Sequence, residues 1–449
     1  MWGFTVDDAL IAVRYARHLE QGVGWRFNVH GPSTDGVTPL PWPLLLAPFA
    51  GADPLRVLFR AKLLGLAAWV FTGTALGRAV GQVAASPWAK MTALATMALS
   101  VPLAAHGVSG METALATALA TAAALLADRP RTAAVLAGLA ASLRPEMAPW
   151  ACALALGLSV AAGGGVARWI EATLLAVAPF AVCALVRTAV WGSPAPLAVL
   201  AKPSDVAHGI AYAGAALVVT LVPILVVAPL AVAREPRALA IVVAAIMQVG
   251  AIVVVGGDWM PYARLLVPVV PSLVYAAVLI SREAHPAATA VRSFVALAVG
   301  VLLIARGGTA GRKVGADRAA LVAAAAPWLS AARATRVVAL DVGWVSAATE
   351  ADIVDLAGLT DREIAALPGG HTSKRVDARF LLARDPDVIL LYAPFGLPKG
   401  GIDDWTQMTA SRAVEARLIG EEAIAARFVA ERWLPLGSSG AGYLALRSR

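Results

Sequence analysis

The chain has 449 residues, of which 59% are hydrophobic and only 15% charged, with a formal net charge of +8. Soluble domains carry roughly 45–50% apolar and about 25% charged residues, so a single water-facing globule is excluded. The two cysteines, Cys152 and Cys183, both fall in apolar runs, which excludes a disulfide framework; the Arg/Lys excess says more about membrane topology than about nucleic acid, which is not expected as a partner.

Met1–Val6 is too short for a signal-peptide core. The segment DDALIAVRYARHLEQG then opens on Asp7 and Asp8, with Leu10, Val13, Ala16 and Arg17 at helical spacing and Gly22 and Gly24 as a stop. Acidic residues at a helix start are commonplace caps. Capping needs only one of the two, and a carboxylate at the mouth of a membrane bundle can accept a proton from a hydroxyl as general base. Residues 25–48 are turn-rich and end in a short apolar helix containing Trp42, which suits an interfacial helix, a re-entrant loop or the beginning of a span.

Ten apolar runs follow, at 56–78, 88–105, 112–127, 131–143, 146–162, 169–190, 208–232, 237–256, 264–281 and 288–306. About 20 apolar residues cross a bilayer, so the fourth run reads as a half-helix. Pro102 and Pro223 are expected to kink their helices. Arg78 and Lys90, then Arg129 and Arg131, Arg168, Arg234 and Arg237, and Arg282 occupy alternate loops, which places those loops in the cytoplasm. The intervening corners face outward: 7–45, Gly107–Glu112, Arg144–Glu146, 191–207 and 256–264, together with everything after residue 310.

From there charged residues become frequent. RVVALD (336–341) and DVILLY (387–392) read as buried strands, and 316–334 and 411–432 as amphipathic helices, giving a soluble α/β domain. It has no G-x-G-x-x-G and no Walker loop. The expected organisation is an outer loop with interfacial helices over 1–55, a transmembrane bundle of about ten spans over 56–309, and an extracytoplasmic domain over 310–449. The expected fold class is an α-helical polytopic membrane protein with a C-terminal soluble α/β domain.

The candidate residues sit at the outward corners. Glu112 begins a span, where capping competes with a functional role. Arg144 and Glu146 flank Pro145 and either pair with each other or leave Arg144 free to face a phosphate. Lys202 ends the 191–207 loop, where a lone Lys commonly snorkels. GGDWMPYAR brings Asp258, Trp259, Tyr262 and Arg264; the aromatics suit the interface or a sugar ring, and Asp258 either binds hydroxyls or pairs with Arg264. The six histidines show no metal-ligand spacing, so no metal set or other cofactor is indicated, and dependence on a divalent metal stays open.

Taken in order, these motifs resemble a known family. Asp7-Asp8-Ala-Leu-Ile-x-x-Arg14-Tyr15-Ala, Phe27-Asn28, Gly36-x-Thr38-x-x-x-Trp42, Ser109–Thr113, Arg144–Glu146, the loop ending at Lys202, Gly256–Pro261, Val354–Asp361 and Pro368–His371 are similar to bacterial membrane glycosyltransferases of the GT-C superfamily, near the mycobacterial terminal arabinofuranosyltransferase family. The resemblance covers nearly the whole chain. It implies a GT-C-like bundle in the cytoplasmic membrane and inverting transfer of a pentose or hexose from a polyprenyl-phosphate donor to a glycan or lipid-linked acceptor on the outer face. It implies that Asp7 or Asp8 is the base, with Asp7 preferred. Arg264, Lys202 and Arg144 would bind the donor phosphate; Asp258, Trp259, Glu112, Tyr262 and Arg14 would bind sugar or acceptor. The C-terminal domain would help hold the acceptor glycan.

Three departures bear on this. The family carries a span before the acidic pair, whereas six residues precede Asp7; either that span lies upstream of Met1 or the chain lacks it. Ser-Pro-Ala-Pro-Leu stands where Pro-Asn-Thr is expected, and Thr34-Asp35-Gly36 replaces a Glu-Gly or Glu-Ala pair. The competing readings are a transporter or flippase, and an inactive glycan-binding scaffold of the same fold.

Overall fold

The computed structural model describes residues 1–84, 86–220, 229–281, 286–307 and 310–449. Pro223, Arg282 and His285, together with part of the expected span 208–232, lie outside the described residues. The chain is mostly helical, with one sheet near its C-terminus.

Among the described residues, three helices are long and apolar enough to cross a membrane: Pro54–Val83, Val166–Trp191 and Pro236–Val254. A fourth candidate is the pair Pro87–Leu99 and Val101–Gly107, which meet at a 52° bend. The bend has a local cause. Pro102 brings no N–H to the helical ladder, and the Ser100 hydroxyl accepts from Leu103 N at 3.3 Å, so the chain starts a new helix there. The runs expected at 112–127, 131–143 and 146–162 form helices of 13, 14 and 14 residues. At 1.5 Å per residue these reach about 20 Å, short of the roughly 30 Å hydrocarbon core. Small residues let the helices meet closely. A Cβ on Gly157 would lie 2.7 Å from Ala240 Cβ, so Ala148–Ala161 and Pro236–Val254 touch almost backbone to backbone.

The C-terminal domain holds five strands: β1 Arg336–Ala339, β2 Asp352–Asp355, β3 Val388–Ala393, β4 Phe428–Pro435 and β5 Gly442–Ser448. Their spatial order is β2-β1-β3-β5-β4, with the first three parallel and β5 antiparallel to both its neighbours. β1 and β3 are the two apolar runs recognised in the sequence. The helix expected over 411–432 is instead two short helices, Ala413–Ile419 and Glu422–Arg427, followed by β4. Gly420 ends the first, and pairing with β5 draws the remaining residues into the sheet.

The first helix, Asp7–Glu20, ties the two parts together. The spacing of its apolar residues predicts one buried stripe; the structure buries every residue from Ala9 to His18. It lies against Pro54–Val83 on the bundle side and Val342–Ala348 on the domain side. Pro41–Leu46, the expected short helix, turns Trp42 inward, where its indole N–H donates to Gly110 O at 3.3 Å, and leaves Leu44 and Leu45 exposed.

Candidate functional site

Between the bundle and the C-terminal domain lies a cleft of about 420 Å³. Asp7, Asp8, Lys202, Asp258 and Trp259 all line it, so three segments far apart in sequence converge there. The domain contributes Asp341, His371 and Arg412, and the helix Ala310–Ala331 contributes Arg318.

The two acids of the first helix are treated differently. Val6, not an aspartate, precedes the helix, and neither acid caps it. Asp7 instead receives the start of another helix: its Oδ2 accepts from Gly343 N at 2.7 Å and its Oδ1 from Trp344 N at 2.9 Å and Arg318 Nη1 at 2.8 Å. Gly343 is required at that contact, because a Cβ there would fall 2.0 Å from the Asp7 carbonyl oxygen. Burial, reinforced by Asp341 and Asp8 and opposed by Arg318, pushes the Asp7 carboxyl up to about 6. Asp8 is half-buried, lines the same cleft, and makes no hydrogen bond or ion pair among the described residues. Three donors thus occupy Asp7, the acid preferred from the sequence, whereas Asp8 carries none among the described residues.

Asp258 Oδ2 is held by Arg264 Nε at 2.7 Å, and its Oδ1 accepts from Trp259 N at 2.8 Å. Burial raises this carboxyl, but Arg264, Lys202 and Arg144 outweigh it and hold it below the usual range. The loop that carries it turns through Gly256 and Gly257 at positive φ and becomes left-handed again at Tyr262 and Ala263, an unusual backbone for residues with a Cβ. Trp259 is 69% exposed and stacks on His208, with centroids 4.4 Å apart and planes at 17°; the His371 ring centroid lies 5.8 Å from it. Burial and the Lys202 ammonium push His371 down to about 4, so it is neutral at neutral pH. Lys202 itself is half-buried, with no hydrogen bond or ion pair on its ammonium among the described residues.

The remaining candidates from the sequence do not line the cleft. Arg264 is one contact behind it, on Asp258. Arg144 is buried and pairs with Glu112 Oε1 at 2.8 Å and with Glu146 Oε1 at 2.5 Å. Arg14 is likewise a clamp: it donates to Phe27 O at 2.7 Å, Thr349 O at 3.0 Å and Ala351 O at 2.9 Å, tying the first loop to the domain. Tyr262 lines a neighbouring apolar cavity of about 470 Å³, which shares Met260 and Pro261 with the cleft.

Arg318, Asp341 and Arg412 escaped the sequence reading. Asp341 follows β1, and an acid beyond the carboxyl end of a parallel strand is the signal that could have found it. Asp341 Oδ2 accepts from Arg412 Nη2 at 2.7 Å and from the Tyr443 hydroxyl. Among the described residues, no three His, Cys, Asp or Glu side chains are grouped to hold a metal ion.

No curated protein and no solved structure matches the chain. Residues 312–439, the greater part of the C-terminal domain, match a family model described as a domain of unknown function (DUF8728).

Proposed function

We propose that the protein is an inverting glycosyltransferase of the cytoplasmic membrane. Its bundle crosses the bilayer many times with the basic loops inside, and its cleft opens on the outer face. The observation that carries this reading is the Asp8 carboxylate, unpartnered among the described residues, in one cleft with the Lys202 ammonium, likewise unpartnered among them, and the exposed Trp259 ring. A base, a cation and an aromatic platform are what sugar transfer from a phosphate-linked donor requires. The apolar cavity beside Met260 and Pro261 supplies room for a polyprenyl chain next to the cleft.

In this mechanism Asp8 takes the proton of an acceptor hydroxyl as the oxygen attacks the anomeric carbon. The bond from that carbon to the phosphate oxygen breaks, and polyprenyl phosphate leaves with the bonding pair. A single displacement inverts the centre. Lys202 offsets the charge that grows on the leaving phosphate, and Trp259 covers one face of the donor or acceptor ring.

The test is transfer from labelled polyprenyl-phosphate pentose and hexose donors in membranes carrying each variant. Loss of the base costs roughly 100-fold or more, so Asp8→Asn should abolish turnover on that scale while Asp7→Asn keeps measurable transfer. Undiminished transfer by Asp8→Asn overturns the base assignment. A wild-type protein inert with both donor classes overturns the transferase reading.

A further inference from the structure

The helices Pro130–Leu143 and Val166–Trp191 begin side by side, at the end of the bundle away from the Arg144 corner, and a cavity of about 400 Å³ lies between their starts. Arg129, Arg131, Arg168, Ser159 and Glu171 line it. Glu171 Oε1 answers Arg131 at 2.8 Å. Arg129 and Arg168 are exposed and have no hydrogen bond or ion pair on their side chains among the described residues. Neither helix start is capped by a side chain, so both leave first-turn N–H groups and the positive ends of their dipoles at the cavity. Ser159 is only 2% exposed, lines the cavity, and its hydroxyl has no hydrogen-bond partner among the described residues. Two uncompensated guanidiniums, two helix starts and a spare hydroxyl together select an anion with several oxygens.

The surface beside the cavity is apolar. Val166, Ile170 and Leu174 recur every fourth residue along one helix at 63%, 57% and 63% exposure. Val135 and Leu139 are exposed on the other helix. A charged socket continued by an apolar stripe fits an amphiphile better than a free ion.

We propose that this cavity binds the phosphate of an anionic lipid headgroup in the leaflet opposite the cleft, with the acyl chains along Val166, Ile170 and Leu174. The proposal rests on the reading that the bundle crosses a membrane. The full-length protein in nanodiscs of phosphatidylcholine doped with phosphatidylglycerol is the material for the test, and native mass spectrometry reads the anionic lipid retained. The double variant R129A/R168A should retain about tenfold less phosphatidylglycerol, in keeping with the attraction of two surface arginines for anionic lipid. R78A/K90A removes equal charge from loops also expected in the cytoplasm and should retain what the wild type does. Equal loss in the two double variants, or no loss in either, overturns the site. A parallel arm adds millimolar inorganic phosphate in pure phosphatidylcholine discs. Stabilisation of wild type but not R129A/R168A there, with unchanged lipid retention, overturns the lipid assignment in favour of free phosphate. Release of the wild type from membranes by alkaline carbonate overturns the membrane reading instead, so the two failures are distinct.

Discussion

What a buried arginine does depends on what its guanidinium meets, and Arg144 meets two carboxylates. With Glu112 1% and Glu146 10% exposed, removing the cation strands both acids in a dry corner. Breaking a buried pair costs about 3–5 kcal/mol, so Arg144→Ala should fail to fold or lose a large part of its thermal stability, as detergent-solubilised fluorescence melts would show. A phosphate-binding Arg144 would instead lose transfer with its melting temperature intact. The acid pair at residues 7 and 8 was legible as a candidate because two carboxylates exceed what capping needs. Which of them is free was not legible, since the groups that occupy Asp7 come from Gly343 and Trp344, more than 330 residues away. His371 gives a pH signature. Its folded value of about 4 lies below the ordinary 6.5, so its stabilising contribution is complete above 6.5 and is lost as pH falls toward 4. Wild type should therefore lose on the order of 2 kcal/mol across that window relative to His371→Gln, a difference that melts at stepped pH would reveal.

At the scale of elements, the joint between loop and domain is built from side chains that bond the domain's backbone. Asn28 Nδ2 donates to Ile353 O and its Oδ1 accepts from Ile353 N, both at 2.9 Å, so one side chain occupies the open edge of β2. Asn28→Ala strands that N–H and C=O at a cost of about 1–3 kcal/mol and should hasten limited proteolysis of the C-terminal domain, while Asn28→Gln recovers little because the reach differs. Gly157 is the corresponding test inside the bundle. Even a methyl group would clash with Ala240, so Gly157→Leu forces the helices apart at about 1–3 kcal/mol or more, read as a lower melting temperature. These elements also show where sequence reading works. β1 and β3 are continuous apolar runs between turns and are visible without a structure. β4 carries Glu431 and Arg432 at the sheet edge, where charge is normal, and it follows directly on the helix Glu422–Arg427, so the sequence reads as one continuous helix. Only its long-range pairing with β5 decides the matter. The apolar runs of the bundle were equally legible as helices, but not their lengths: prolines and small residues start and stop them in ways that hydropathy alone does not register.

For the whole molecule, the arrangement of charge and cleft makes one orientation testable. Pro130–Leu143 begins at the arginine-lined cavity and ends at the Arg144 corner, and the adjoining helices reverse direction around it. On the proposed topology, the alternating basic loops would put the cavity end in the cytoplasm. The cleft, whose charged lining includes Asp8 and Lys202, would then face the other side, where the proposed lipid-linked sugar and its acceptor would meet. Single cysteines in a C152A/C183A background separate the two ends. Ala162→Cys lies in an exposed position near the cavity end and Lys399→Cys in an exposed turn of the C-terminal domain. In right-side-out spheroplasts a membrane-impermeant maleimide should label Lys399→Cys at once and Ala162→Cys only after permeabilisation. Labelling of both before permeabilisation, or the reverse order, sinks the orientation and with it the claim that transfer occurs on the outer face. The C-terminal domain would then be carried on the wrong side for a glycan acceptor, however well its residues complete the cleft.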